Sequence, residues 1–402
     1  MRYSFIFLAL CGAVFATIPT LEADAGATTL RITDGTSLDP VTWNDVWAFG
    51  AGGGAGLVPL DGGGTARVDT FITEIIADAM YLILKDIDFG DGSTSTYFTS
   101  LNEQLYFVDD ALPFIAANAR FDMGEALGDW SKNGSCMSIG ITGGAGHSIS
   151  TSASAVFATY GSMIIRRNAS NYSTLALSGG TWIARNFTYI GFGLDYIHLS
   201  TGTVDWDTVT ILDPFIFQMS LTPTNFNNIH VHGAYTGLFS YQPITATNML
   251  ITDASIEVQM NVAGNLILKN PRFNINGSKV TITNASGNII EQYTCNIHVN
   301  DKDGVDLEGA SVLCEDEADA EVFSVSTDVN GDIAEQLINY KQWVGTDETL
   351  TDFSPHVFTI SKADLVTLVI DAVTVDDPIS FLYEQLLESA SGGGGIRSRY
   401  NP

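Results

Sequence analysis

The chain has 402 residues, and 45% are apolar, enough for a substantial core and too much for wholesale disorder. Only 16% are charged, and 46 acidic against 17 basic side chains leave a formal charge of -29. A field of that sign repels phosphate backbones and anionic lipid, which excludes nucleic-acid binding through a basic face.

Residues 1–25 place Arg2 before an apolar run and end on Ala23 and Ala25 in an A-x-A pattern. This is the layout of a secretory signal peptide; in a virus-encoded structural protein the same segment would stay on as an assembly arm. No later stretch holds eighteen apolar residues, so no stable membrane insertion is expected once a signal is removed. Residues 26–100 read as a leading segment with the first rungs of a repeat. Thr28–Thr33 alternates as a strand, residues 50–64 are glycine-rich, and residues 68–80 have the spacing of a short helix. Residues 103–134 mix Ala, Phe and Leu, and suggest an inserted lid with a second short helix.

From about residue 80 short apolar runs alternate with Gly, Asn, Asp, Ser and Thr, and no helical period persists between about 135 and 275. The polar residues Asn186, Asp207, Asn228, Asn248 and Asn265 each precede such a run, in steps of 21, 21, 20 and 17 residues. A repeat of that length without helices predicts a parallel β-helix over residues 101–286, one turn per repeat. Ile229, Val231, Leu266 and Leu268 would face inward, with Asn228, His230 and His232 outward. The rival fold, a β-sandwich throughout, would need longer strands and tighter hairpins.

Residues 287–376 change register to a run of six or so antiparallel strands, a small β-sandwich. Antiparallel pairing of residues 295–299 with 310–314 would set Cys295 opposite Cys314, a candidate disulfide in an oxidising compartment. Asp377-Pro378 has the form of a helix start, predicting a helix over residues 379–387. Ser391–Gly395 then reads as a hinge and residues 396–402 (IRSRYNP) as a short basic tail, either frayed or docked on an acidic neighbour. The expected fold is therefore all-β, a solenoid followed by an antiparallel sandwich.

Within this second module, residues 297–333 resemble the carboxypeptidase regulatory-like β-sandwich family. The resemblance rests on Asp301-Lys302-Asp303-Gly304, Gly309-Ala310 and Thr327-Asp328-Val329-Asn330-Gly331; at residues 360–365 Asp364-Leu365 replaces the family's glycine–aromatic pair. It implies a spacer or binding module without catalysis of its own. The whole arrangement, with residues 32–46 (ITDGTSLDPVTWNDV) and the Gly-Asp-Gly-Ser-Thr run at 90–94, is similar to tailed-phage structural proteins and bacterial surface proteins.

For chemistry, the strongest grouping is Asp205, Asp207 and Asp213, with His230 and His232 one repeat later. Paired carboxylates serve glycoside hydrolysis, and β-helix lyases hold Ca²⁺ through them beside a Lys or Arg base. Against this, acidic residues are abundant throughout, and no specific nucleophile, dinucleotide or phosphate motif occurs. Asp328, Asn330 and Asp332 offer a weak Ca²⁺ set without the downstream Glu of an EF-hand loop. No zinc spacing and no cofactor motif is found. Six Asn-x-Ser/Thr sites stand at Asn133, Asn168, Asn171, Asn186, Asn276 and Asn284. The expected function is structural or adhesive, in an extracellular, cell-surface or virion-borne fibre or filament that associates with itself or a homologous subunit. The alternatives are a secreted glycan-degrading enzyme, and an adhesin that grips a cell-surface glycan with exposed Trp182, Trp206 and Tyr241.

Overall fold

The computed structural model describes residues 113–123, 148–167, 173–191 and 195–385, further strand segments between Thr20 and Gly140, and Ile396–Arg399. Residues 1–19, which carry most of the expected signal segment, and the glycine-rich stretch at 50–64 lie outside the described residues. Among the described residues no helix is long and apolar enough to cross a membrane.

The middle of the chain climbs as a three-sided parallel coil. One side stacks Ser173–Ser178, Asp195–Leu199, Ile216–Met219, Thr236–Ser240, Ile256–Met260 and Val280–Ile282, each parallel to the next. The other two sides come from strands that bend midway. Thr181–Ile190, Thr203–Leu212 and Asn225–His232 pair in parallel register, Asp207 opposite Asn227 and Ile211 opposite Val231. In the next turn the same path is divided between Ile244–Thr247 and Leu250–Thr252.

The bend has a local cause. Asn186, Thr208, Asn228, Asn248 and Asn270 hold φ of 49°, 60°, 53°, 52° and 50°, the left-handed region that Asn tolerates best. One such residue turns the strand and sends two successive side chains outward, so Thr181–Ile190 and Thr203–Leu212 share the burial alternation in which only residues 182, 184, 187, 189 and their counterparts point in. The corner ladder differs in phase from the sequence register at two rungs. Asp207 is the last outward residue before the corner, which Thr208 occupies, and Asn265 lies within the strand Gly264–Lys269 while Asn270 turns it. A corner is set by backbone conformation, and polarity alone does not distinguish it from the position beside it.

Inward side chains fill the bore. Ile229, Val231, Leu266 and Leu268 are fully buried. Rings from successive turns form a column: Phe89 stacks on Phe121 at 4.9 Å, Phe121 on Phe157 at 6.0 Å, and Trp182 meets Phe157 at 5.5 Å and Trp206 at 4.8 Å. Each fully buried Phe contributes about 1.5–3 kcal/mol of transfer free energy before entropy is charged against it.

In two segments where the sequence suggests a helix or an insert, the described residues are strand. Within residues 68–80 the described positions are the strand Ile72–Thr73 and the ends of Thr65–Val68 and Met80–Ile83. The expected lid contributes Gln104–Phe107, Pro113–Ile115 and Ala119–Met123, all in parallel ladders with the turns before and after. Parallel pairing extends back through Asp86–Phe89 and Thr65–Val68 to Thr29–Thr33. Short apolar stretches at mixed spacing suit a rung whose two faces are core and corner, and a helical period cannot be told from that pattern over so few residues.

The second module is welded to the coil by one fifteen-residue strand, Gly287–Asp301. Its first half pairs parallel with Gly264–Lys269 of the last turn. Its second half pairs parallel with Ile379–Gln385, and its other edge receives Gln336–Val344 antiparallel, Asn288 opposite Val344 through Cys295 opposite Gln336. A facing sheet carries Glu321–Ser326, Ser311–Glu315, His356–Ser361, Leu368–Val373 and Ile396–Arg399 in that order. Val299, Val312, Phe358 and Ile360 pack between the two sheets.

Two expectations are corrected here. The helix over 379–387 is the strand Ile379–Gln385, because Ile379, Phe381 and Tyr383 alternate and the edge at Cys295–Asp301 needs a partner. Residues 311–315 do not pair back on 295–299; they lie in the opposite sheet, between Glu321–Ser326 and His356–Ser361.

Candidate functional site

The outward face of the bent strands carries the acidic pair singled out from sequence. Asp205 forms an ion pair with Arg185, Nη2 to Oδ2 at 2.8 Å, while Arg185 Nη1 also donates to the Asp205 carbonyl at 2.7 Å. Asn225 Nδ2 donates to the other carboxylate oxygen of Asp205 at 3.2 Å. One position along, Asp207 Oδ1 accepts from Asn228 Nδ2 at 2.9 Å and from Thr208 Oγ1 at 3.2 Å. Asn248 Nδ2 continues this lane to Asn227 Oδ1 at 3.1 Å. Apart from the Thr208 bond these run from rung to rung, and they occupy both carboxylate oxygens of Asp205 and Oδ1 of Asp207.

Asp213 stands apart at the next corner, with φ of 50°. The residue above it is Gly233, whose φ of 74° disfavours a side chain and where an added Cβ would lie 2.2 Å from Asp213 Oδ1, which would have to move. His230 and His232 sit beyond the bend, on the third side. Thr252 Oγ1 joins His230 Nε2 at 3.2 Å and His232 Nδ1 at 2.8 Å, and the ring centres are 6.2 Å apart. Burial, then the neighbouring His232 and Arg272, lower the His230 pKa. The fold therefore brings the two histidines together and sets Asp205 and Asp207 in adjacent lanes, but a corner divides the carboxylates from the imidazoles. Among the described residues no group of three or more His, Cys, Asp or Glu is arranged to hold a metal ion.

A groove of about 540 Å³ crosses the second side, lined by Pro223, Thr224, Asn225, Pro243, Thr245 and Asn265 among others. Its sequence signal is modest, the twenty-residue spacing of Pro223 and Pro243.

The first side has a different character. Trp182 and Trp206, expected on the surface, are 2% and 1% exposed and belong to the ring column. Their strands present the indoles to the bore because the corner fixes which residues point in. Tyr241 is half-buried on the first side. Sequence reasoning missed the aromatics beside it. Phe215 lies 5.4 Å from Tyr196 and stacks on Tyr235 at 5.0 Å and 12°, and Phe239 meets Tyr241 at 4.5 Å. Between these rings, Ser220 Oγ joins His198 Nε2 at 3.0 Å and accepts from Gln218 Nε2 at 3.2 Å. Tyr196, His198, Ile216, Gln218, Phe239 and Gln259 are partly exposed on this side, while Glu257, on the strand of Gln259, is buried and pairs with Lys279 at 3.4 Å.

In the sandwich, Asp301 Oδ1 accepts the backbone N–H groups of Asp303 and Val305, and Asp328 Oδ1 those of Asn330 and Asp332. These donors hold both carboxyls below the usual range. Asp332 Oδ1 instead faces His298 Nδ1 at 2.8 Å, and Asp306 Oδ1 lies 3.1 Å from His298 Nε2. The three residues of the weak Ca²⁺ set thus form a turn whose oxygens meet backbone N–H groups and an imidazole. Cys295 and Cys314 are free buried thiols in the same core, contributed by opposite sheets. Burial pushes Cys295 up to about 12, and burial followed by the neighbouring Cys295 raises Cys314.

Comparison of the chain with known family models, curated proteins and solved structures finds no match.

Proposed function

We propose that the protein is a non-enzymatic structural or adhesive element, a rigid β-solenoid shaft bearing a sandwich module, built into an extracellular or virion-borne fibre or filament. The observation that carries this reading is the unbroken column of buried rings from Phe89 to Trp206 and Phe226, with hydrogen-bond ladders tying the same turns together on the outside. Such a coil resists bending because every rung shares its core with the next. The two D-x-x-G-type turns of the sandwich, braced by Asp301 and Asp328, are consistent with the resemblance to carboxypeptidase regulatory-like spacers. Negative-stain electron microscopy of the purified chain, with sedimentation velocity, tests the proposal. Rods, trimers or filaments are expected; dispersed compact monomers at every concentration would overturn it.

A second reading, adhesion to a glycan, is favoured by the first side of the coil. Flat rings with amides and hydroxyls between them match the C–H faces and hydroxyls of a saccharide. Glycan-array binding that falls at least tenfold in Tyr235→Ala supports it; unchanged binding in that variant sinks it.

A further inference from the structure

We propose that Ile396–Arg399 is an exchangeable strand, able to occupy the sheet edge of a second copy of this chain as well as its own. The inference rests on the assembling role proposed above and names the contact that role would use.

The outer sheet of the sandwich is antiparallel from Glu321–Ser326 through Leu368–Val373, and two of its three pairings join chain neighbours as hairpins. Its last strand is different. Ile396–Arg399 lies parallel to Leu368–Val373, with Leu368 opposite Ile396, Val369 opposite Arg397, Ile370 opposite Ser398 and Asp371 opposite Arg399. The chain reaches it only after leaving that sheet, running through Ile379–Gln385 in the facing sheet, and covering ten more residues. The strand is thus an addition to an edge that the module completes without it.

That edge needs an occupant. Leu368 and Val369 are half-exposed apolar residues on a strand whose unpaired N–H and C=O groups would otherwise template other chains. The acceptor length is fixed as well: Ala372 has φ of 58° beside a register shift between His356 and Phe358, so the straight edge ends at Asp371. Four residues fit, and four are paired.

Nothing in the intervening sequence forces the strand home to its own module. Residues 386–395 read LLESASGGGG, and ten residues reach up to about 35 Å when extended, against roughly 10 Å between packed sheets. Charge decides the partner class. Residues 287–376 hold nineteen acidic and three basic side chains, whereas residues 396–402 hold two arginines and no acid. Two copies carrying -29 each repel, and a basic strand set on an acidic module supplies a short-range attraction between them. At low concentration the tether favours the strand's own edge; at high local concentration, or with a short tether, the neighbour's edge competes.

The test uses two otherwise complete chains, each with residues 386–395 deleted so that Gln385 joins Ile396 directly and the strand cannot cross the roughly 10 Å between packed sheets to its own edge. One carries Val369→Cys and the other Arg397→Cys, the residues that face each other in the register. Mixed and treated with a mild oxidant, they are expected to give a covalent heterodimer on a non-reducing gel, at least tenfold above a mixture that pairs Val369→Cys with Tyr400→Cys. A single chain with the full tether and both cysteines is expected to crosslink internally, which verifies the docking register. Internal crosslinking without a heterodimer in the shortened mixture overturns the exchange. The result separates from the shaft proposal: filaments that persist after removal of residues 396–402 would sink the exchange and leave the shaft standing, and a heterodimer from chains that otherwise stay dispersed, compact monomers would do the reverse.

Discussion

Thr208 is the one corner residue of its ladder that is β-branched, held at φ of 60° between Asn186 below and Asn228 above. A β-branched side chain is penalised in the left-handed region, and Asn is the residue best suited to it. Thr208→Asn is therefore expected to raise stability by about 1 kcal/mol, and Asn228→Ala to lower it by about 1–2 kcal/mol, through backbone strain and loss of the bond to Asp207. Chemical denaturation midpoints check both, and a neutral Asn228→Ala would contradict the role of the corner. A second residue has a sign fixed by pH. Glu291 is 1% exposed, accepts from Tyr293 Oη at 2.8 Å, and leaves Oε2 without a hydrogen-bond partner. Burial raises its pKa to about 7, and the Tyr293 bond only partly offsets that. Because the folded value lies above the unfolded one, the native state binds the extra proton between them, and stability falls as pH rises from about 4.5 to 7. The full cost is about 3 kcal/mol. Glu291→Gln should therefore match the wild type near pH 4 and exceed it near pH 8, as read from thermal unfolding at the two pH values.

At the scale of elements, the loops Asp301–Asp306 and Asp328–Asp332 are stapled by His298, which lies between Asp332 and Asp306. The Asp332 bond is the chief cause of its raised pKa. A raised folded pKa makes this staple fully effective below the ordinary histidine value and weakens it as pH climbs through the folded one. His298→Ala should lower the melting temperature at pH 5.5 and change it much less at pH 9; an equal loss at both would mean the imidazole acts by packing alone. The two turns themselves were legible from sequence, since Asp at the first position and Gly at the fourth announce how the backbone must fold. So was the coil, from runs such as residues 228–232, in which polar and apolar residues alternate about a recurring Asn. What escaped was non-local. Ile379–Gln385 opens with Asp377-Pro378, a start signal common to helices, and only the vacant edge at Cys295–Asp301 makes it a strand. Trp182 and Trp206 have the amphipathic profile of surface anchors, and their inward aim follows from the phase of a corner that polarity marks one residue too loosely. The sheet change that separates Cys295 from Cys314 had no local mark at all, because either connection satisfies the same alternation.

For the whole molecule, the sandwich is also the cap of the coil. Sequence alone leaves both ends of a solenoid open, yet Gln336–Val344 covers the last rung, and Trp343 enters the coil's own core, 2% exposed. The outermost strand there, Thr349–Asp352, is exposed along its length and ends on a carboxylate, which discourages further stacking at that end. Association of copies would then run through the sides or the other end, consistent with a tail that docks laterally. Capping also couples the two cores. The strand Gly287–Asp301 belongs to both, Ile289 in the coil and Val299 in the sandwich. Neither half of that strand can lose its partners without exposing the other's edge, so the coil's final turns and the sandwich are expected to melt as one unit. Trp343→Ala in one core and Ile360→Ala in the other should each cost several kcal/mol, roughly 2–5. Calorimetry should show both substitutions moving the same transition. If the wild type instead gives two transitions, with Trp343→Ala shifting one and Ile360→Ala shifting only the other, the shared strand would be a tether between independent bodies and the capping role would fail.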